Sequence, residues 1–281
     1  MRPSPSHMTG LIGAGALAAL VGLPSPTAAQ AAGPLARLTY VEKSVQRAAG
    51  AAGWGDVAEG GSFDIGDGLR TGPQSLARLE LPWMTLSLSP GADVSFPDDY
   101  VLSIVLEKGR VVLEAEEYPM LKLKTSEAEV RGTGRAVVRR EDGRTLVTCL
   151  EGRFRVVGAG RGVSLSPAQG TVVAAGKAPT AAADTLAPPA GEFLWPGADP
   201  VYTEPGAELE LRWEAEAPKF QIEVLPVGSD TILLQRDVGP SPARLALPWS
   251  GAFRWRVASR DDRGLEGVPS EAGLICVDIV E

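Results

Sequence analysis

Residues 66–81 read GDGLRTGPQSLARLEL, and this stretch decides the fold class. In its second half Leu79 and Leu81 alternate with Arg78 and Glu80. A period of two places one apolar edge inward and one charged edge outward, the pattern of a half-buried strand. In its first half Gly66, Gly68 and Gly72 surround Asp67, Leu69, Arg70 and Thr71. Glycine supplies backbone angles that a Cβ forbids, and so permits a tight entry into the strand. A glycine-punctuated turn feeding a short alternating strand predicts a small all-β module, and nothing in the stretch carries chemistry.

The same pattern repeats on both sides. Upstream, residues 36–45 read as a strand with Leu38, Tyr40 and Val45 inward. Downstream, short strands are predicted at 85–88, 93–96, 101–106, 110–115, 120–125, 128–130, 135–139, 145–150, 153–157, 163–165 and 171–173. Turns are predicted between them at Ser89-Pro90-Gly91, Lys108-Gly109, Asp142-Gly143 and Glu151-Gly152. Asp-Gly between two strand-like runs is a strong hairpin signal. So many short strands point to a β-sandwich, a jelly roll or a β-solenoid, and periodicity alone does not order them.

Residues 174–191, AAGKAPTAAADTLAPPAG, hold almost nothing to bury and read as an Ala/Pro-rich linker of modest stiffness. The linker divides a first domain, 32–173, from a second, 192–281. In the second, Leu209, Leu211 and Trp213 alternate with Glu208, Glu210 and Arg212. Phe220, Ile222 and Val224 alternate with Gln221 and Glu223; Phe253, Trp255 and Val257 alternate with Arg254, Arg256 and Ala258. With Leu245, Leu247, Ile275 and Val277, this predicts about six or seven strands in an antiparallel sandwich, with Trp213 and Trp255 in its core.

Residues 1–31 read as a signal peptide. Arg2 precedes an apolar run from Leu11 to Leu23, which is shorter than the roughly 20 residues a membrane span requires. Pro24 and Pro26 break the run, and Ala29-Gln30-Ala31 fits a cleavage site. The mature chain is therefore expected to be soluble, exported and without a membrane span. Cleavage removes one arginine and no acid, so the formal charge moves from 27 − 35 = −8 to 26 − 35 = −9. Such a chain repels phosphate backbones unless it segregates a basic face. Lys122 and Lys124, or Arg139 and Arg140, are too few for one, so no nucleic-acid partner is expected.

The single histidine, His7, lies in the signal segment. Its removal excludes Ser-His-Asp and Cys-His catalysis, histidine-containing zinc sites and the usual proton carrier near neutral pH. Carboxylate-only catalysis and an oxygen-ligand calcium site survive this argument. The two cysteines, Cys149 and Cys276, sit in apolar strand-like runs. An exported chain can pair them, yet they fall in different predicted domains. They are read as two buried free thiols behaving as small hydrophobes.

A set of short motifs runs in order through the first domain. Trp54 precedes the turn Gly66-Asp67-Gly68-Leu69-Arg70-Thr71-Gly72; Ser75 and the strand 77–81 follow. Then come Leu86-Ser87-Leu88-Ser89-Pro90 and Gly109-Arg110-Val111. Thr125, Ala128, Val130, Gly132 and Thr133 are next, then Val147, Gly152 and Val156, with an approximate close at Leu165 and Gln169-Gly170. In this order and spacing, residues 38–173 resemble a FecR domain, the periplasmic sensing module of iron-citrate regulators. Members place an aromatic shortly after Gly-Thr, where this chain has Gly134-Arg135-Ala136, so different local packing is expected there. Sigma-factor regulators of that family carry a cytoplasmic helix bundle and a transmembrane helix ahead of the domain. Here the predicted signal peptide precedes it directly, so the transmembrane-signalling role is not carried over. The second domain is similar to a fibronectin type III or immunoglobulin-like domain. The matching segments are Leu211-Arg212-Trp213, the aromatic strand 253–257 and the turn Asp261-Asp262-Arg263-Gly264.

Each candidate site has a plainer reading beside it. Asp261, Asp262 and Glu266 can donate oxygens to calcium, but adjacent acids beside a glycine are commonly a solvated turn. Asp98-Asp99 and Glu116-Glu117 supply paired carboxylates, yet neighbours in a strand point to opposite faces and do not converge. Asp67 with Arg70 is a tempting binding pair; the simpler reading has the acid bonding its own turn. Gly132-Thr133-Gly134-Arg135 lacks the length and the lysine of a phosphate loop. Trp54, Trp83, Trp195 and Trp249 fall outside the clean alternation, and are read as plugs at the sandwich ends rather than stacking platforms. No catalytic, cofactor or metal residue is therefore assigned.

The function expected is a non-enzymatic binding or scaffold protein of the bacterial cell envelope, periplasmic or secreted, whose partner is an envelope protein or cell-wall polymer. The alternatives are a carboxylate-dependent glycan hydrolase, and an accessory subunit of a surface-signalling or secretion assembly. A hydrolase requires acids from separate strands meeting in one cleft, at about 5 to 9 Å.

Overall fold

The alternation read from the sequence is realised as strands, with no α-helix among the described residues. The computed structural model describes residues 34–50, 53–97, 103–116, 122–189, 194–197, 199–270 and 273–278. The predicted signal segment, Asp98, Asp99 and Glu117 lie outside them. Residues 34–281 belong to one compact unit.

The first module begins with Ala36–Glu42 (β1), Val45–Ala48 (β2), Trp54–Asp56 (β3), Ser62–Phe63 (β4) and Gly68–Thr71 (β5). Leu76–Leu81 (β6), Met84–Leu88 (β7), Asp93–Ser95 (β8), Ser103–Ala115 (β9) and Lys122–Lys124 (β10) follow. Glu129–Glu141 (β11), Arg144–Gly158 (β12), Arg161–Leu165 (β13), Gln169–Ala174 (β14) and Ala183–Asp184 (β15) complete it. All are joined in one 15-stranded sheet. Three long strands make this possible by serving different neighbours along their length. The first half of β9 pairs with β8 and, in parallel, with β10; its second half pairs with β7 and β11. One apolar core runs through both halves, from Leu69, Val94 and Leu106 to Leu79, Leu86 and Val138.

The stretch that decided the fold class supplies β5 and β6. Leu79 is fully buried on β6, between β1 and β7. The Thr71 hydroxyl donates to the Ser89 carbonyl at 2.6 Å and accepts from the Ala92 amide at 3.0 Å. The hairpin predicted at Asp142-Gly143 forms with φ of 50° and 68°, and Glu141 pairs with Arg144 across it.

The turns predicted at Lys108-Gly109 and Glu151-Gly152 are corrected: both positions lie inside long strands. Gly109, Gly134 and Gly152 take φ of 90°, 102° and 75°, and Gly134 faces Gly152 directly. Glycine in these angles bends a strand without ending it. A Cβ on Gly152 would fall 2.1 Å from the Thr133 carbonyl oxygen, so the close crossing of β11 and β12 requires glycine.

The second module holds Val201–Thr203 (β16), Glu208–Leu211 (β17), Lys219–Pro226 (β18), Leu234–Val238 (β19), Ala243–Ala246 (β20), Gly251–Arg260 (β21) and Gly273–Val277 (β22). A 5-stranded sheet in the order β16-β22-β21-β18-β19 faces the 2-stranded sheet β17-β20. Between them Trp213, Phe220, Trp255, Val257 and Ile275 form the core, with both tryptophans inside it as read from the sequence. The sandwich is not wholly antiparallel, since β16 runs parallel to β22.

The Ala/Pro-rich stretch does not hang free where it is described. The Thr180 amide donates to the Val172 carbonyl at 3.0 Å, and the Thr185 amide to the Ala168 carbonyl at 2.9 Å. Residues 183–184 pair with β14, and the Arg263 guanidinium donates to the Asp184 carbonyl at 3.1 Å. Cys149 and Cys276 are both free thiols; Cys149 is buried and Cys276 half-buried.

Candidate functional site

Alternation predicts which face of a strand is polar, and here two polar faces cover each other. On β9 and β11, Val111 and Val138 point into the first core, so Arg110, Val112, Val137 and Arg139 point out of it. On β18, Phe220, Ile222 and Val224 point into the second core, so Gln221, Glu223 and Leu225 point out. These outer faces meet. Arg110, Glu223 and Glu266 are each only 3% exposed. Arg110 Nε donates to Glu266 Oε2 at 2.9 Å, and its Nη2 bonds both Glu266 Oε1 and, at 3.1 Å, Glu223 Oε1. Its Nη1 donates to the Ser89 hydroxyl at 3.1 Å. Arg256 Nε donates to Glu223 Oε2 at 2.8 Å; Arg139 Nη2 donates to Gln221 Oε1 at 3.2 Å and to Glu266 Oε2 at 3.4 Å.

Burial alone would push the Glu266 carboxyl up. The charge and hydrogen bonds of Arg110, with Arg139 and Arg260, outweigh it and hold the group below the usual carboxylate range. Burial likewise opposes the charge on Arg110, and Glu266 and Glu223 overcome it to raise that guanidinium above its ordinary value. Apolar contacts flank the ionic layer. Leu76 packs with Leu225 and Ile232 on one side; Val112, Val137 and Leu150 pack with Val268 on the other.

Beside this layer the modules enclose a cleft of about 660 Å³. One wall is Lys43, Gln74, Ser89, Pro90 and Arg139 of the first module; the other is residues 233–237 with Trp249 of the second. A more open groove of about 630 Å³ collects Trp83 with Glu80, Glu114, Glu116, Glu151 and Asp230. Glu114 there is held by Arg78 at 3.2 Å and by Arg135 at 3.6 Å. The other four acids of the groove are solvent-exposed.

Asp67 Oδ2 accepts the Asp64 amide of its own turn at 2.8 Å, and its ion partner is Arg47 at 2.6 Å, not Arg70. Arg70 instead donates to Gln46 and lies over the Trp54 ring at 4.3 Å. Asp261 Oδ1 accepts the Arg263 and Leu265 amides at 2.9 Å, so it closes a turn, while Glu266 turns away into the ionic layer. Among the described residues no group of three acids, cysteines or histidines gathers as a metal would require. Glu116 is exposed. Gly132 to Arg135 lie in mid-strand at the crossing with β12. Trp54, Trp83 and Trp195 are exposed, Trp195 beneath Arg212; Trp249 packs on Phe253 and lines the cleft.

The residues that sequence reading missed are Arg110, Arg139 and Glu223. Their one sequence signal is a charged residue at an outward position of a strand, which solvent-facing residues share.

No protein-family model matches the chain, and no curated protein matches it. Among solved structures it is similar to two crystal structures of a candidate anti-sigma factor from Parabacteroides distasonis. Each aligns at 16% identity with a TM-score of 0.37, covering 42% of this chain and 59% of that one. The chain thus spans about three fifths of the length of those structures. The resemblance to the FecR domain rests on the motif residues themselves.

Proposed function

We propose that this is an exported, non-enzymatic binding and scaffold protein of the bacterial cell envelope, which holds an envelope protein or polymer between two fixed modules. The observation that carries this reading is the buried Arg110–Glu223–Glu266 layer. It joins the two sheets face to face and so fixes the width of the cleft beside it. Preorganised walls raise affinity because less freedom is lost on binding. The predicted signal peptide supports the envelope as the place of action. The carboxylates of the open groove do not favour the hydrolase alternative. Glycoside cleavage needs two carboxyl groups converging on one bond, and here four of the acids are exposed on the groove's walls while Glu114 is ion-paired with two arginines.

The test is cosedimentation of the mature chain, residues 32–281, with purified peptidoglycan sacculi and with envelope fractions. Saturable attachment to one of them is expected. Attachment to neither overturns the reading, and release of soluble sugar from sacculi replaces it with the hydrolase.

A further inference from the structure

Five consecutive residues, 233–237, line the cleft. Successive side chains of a strand point to opposite faces. A cleft lying over one face would be lined by alternate residues; lining by every residue means that the cleft runs along the strand's edge. β19 is the last strand of its sheet, and among the described residues only β18 pairs with it. An edge strand presents unpaired N–H and C=O groups, the feature that an extended peptide recognises when it adds to a sheet. Here the edge lines the cleft between the two modules. Lys43, Gln74 and Pro90 of the first module line the same cleft.

The charge left over on the walls selects the chain. Glu141 is held by Arg139, and Asp237 by Arg139 and Arg260. Lys43 donates to the Gln74 side chain at 3.0 Å and Arg236 to the Arg244 carbonyl at 3.4 Å; among the described residues neither has a carboxylate partner. Among the described residues the one lining acid without a cation partner is Glu42, which accepts the Tyr40 hydroxyl at 3.1 Å. Among the described residues two cations without a carboxylate thus share the cleft with one acid without a cation, and Leu234 and Trp249 give apolar surface beside them.

We infer that the cleft is a strand-addition site: an extended peptide segment carrying acidic side chains pairs with the outer edge of β19, its carboxylates meeting Lys43 and Arg236. This deepens the binding role proposed above and rests on it. At about 3.4 Å per residue, the five residues of β19 offer a ladder of about 17 Å.

The probe is a phage-displayed library of random linear dodecapeptides, selected on the mature protein. Enrichment of peptides with Asp or Glu is expected. The best of them, labelled and titrated by fluorescence anisotropy, should bind about tenfold more weakly to the K43E/R236E variant, from two lost charge contacts. Binding to an R161E/K177E control, changed at exposed positions away from the cleft, should be unaltered. Amide hydrogen exchange at 234–238 should slow on peptide addition. Failure to enrich any peptide, enrichment of basic ones, equal binding to both variants, or binding without protection of β19 each overturns the inference. Sacculus and envelope attachment of K43E/R236E separates the two readings: attachment kept while peptide binding fails removes the cleft and leaves the binding role standing.

Discussion

Glu266 accepts from two nitrogens of Arg110, a residue 156 positions upstream, and from Arg139. Removing one member of a buried ionic group leaves the others charged and desolvated, which typically costs about 3–5 kcal/mol. Glu266→Gln is therefore expected to lower stability by about that amount, read as a fall in the urea midpoint at unchanged slope. The same residue sets a pH dependence. Its carboxyl is depressed in the folded protein, so its stabilising contribution is complete above the ordinary value of 4.5 and is lost as pH falls through the depressed one. The wild-type urea midpoint should drop more steeply below about pH 4.5 than that of Glu266→Gln; parallel profiles would show that Arg110 does not hold this carboxylate. In the sequence Glu266 stood beside Asp261 and Asp262 as an oxygen donor. Its true partner is fixed by sheet packing across the whole chain, which no local spacing encodes.

At the scale of the element, the information in a glycine depends on what faces it. Asp142-Gly143 and Glu151-Gly152 read alike, yet the first closes a hairpin and the second lies inside β12. A Cβ added at Gly143 would meet nothing within 4 Å, whereas at Gly152 the Thr133 carbonyl and the Gly134 Cα occupy its place. Gly143→Ala should thus cost only the strain of a positive φ, about 1 kcal/mol. Gly152→Ala adds a backbone clash to that strain, and about 3 kcal/mol or more is expected. Thermal midpoints of the two variants check the difference; equal losses would mean that β11 and β12 can part at their crossing without penalty. The strands themselves were legible, because Leu79–Leu81 and Phe253–Val257 alternate cleanly. Strand length was not, since a bulge glycine and a turn glycine leave the same mark in a sequence.

Across the whole molecule, alternation specified two apolar cores and two polar faces, and was silent on what covers the polar ones. Outward Arg110 and Arg139 look identical in sequence to outward Arg78 or Arg254; only the first two meet carboxylates of the other module at its centre. That contact determines whether the chain behaves as two domains on a tether or as one body. Apolar clusters on both sides of the ionic layer, and a connecting stretch hydrogen-bonded along β14, argue for one body. Unfolding either module then exposes the buried charges of the other, which couples their stabilities. Native-state hydrogen exchange should report the same opening free energy for Val138 and Val147 in the first core as for Trp255 and Val257 in the second. In Glu223→Gln/Glu266→Gln the coupling is weakened and the two sets should separate, with the second module opening first because its core is the smaller. Separate free energies already in the wild type would make the junction a hinge, and the cleft beside β19 would have no fixed width with which to select a single extended chain.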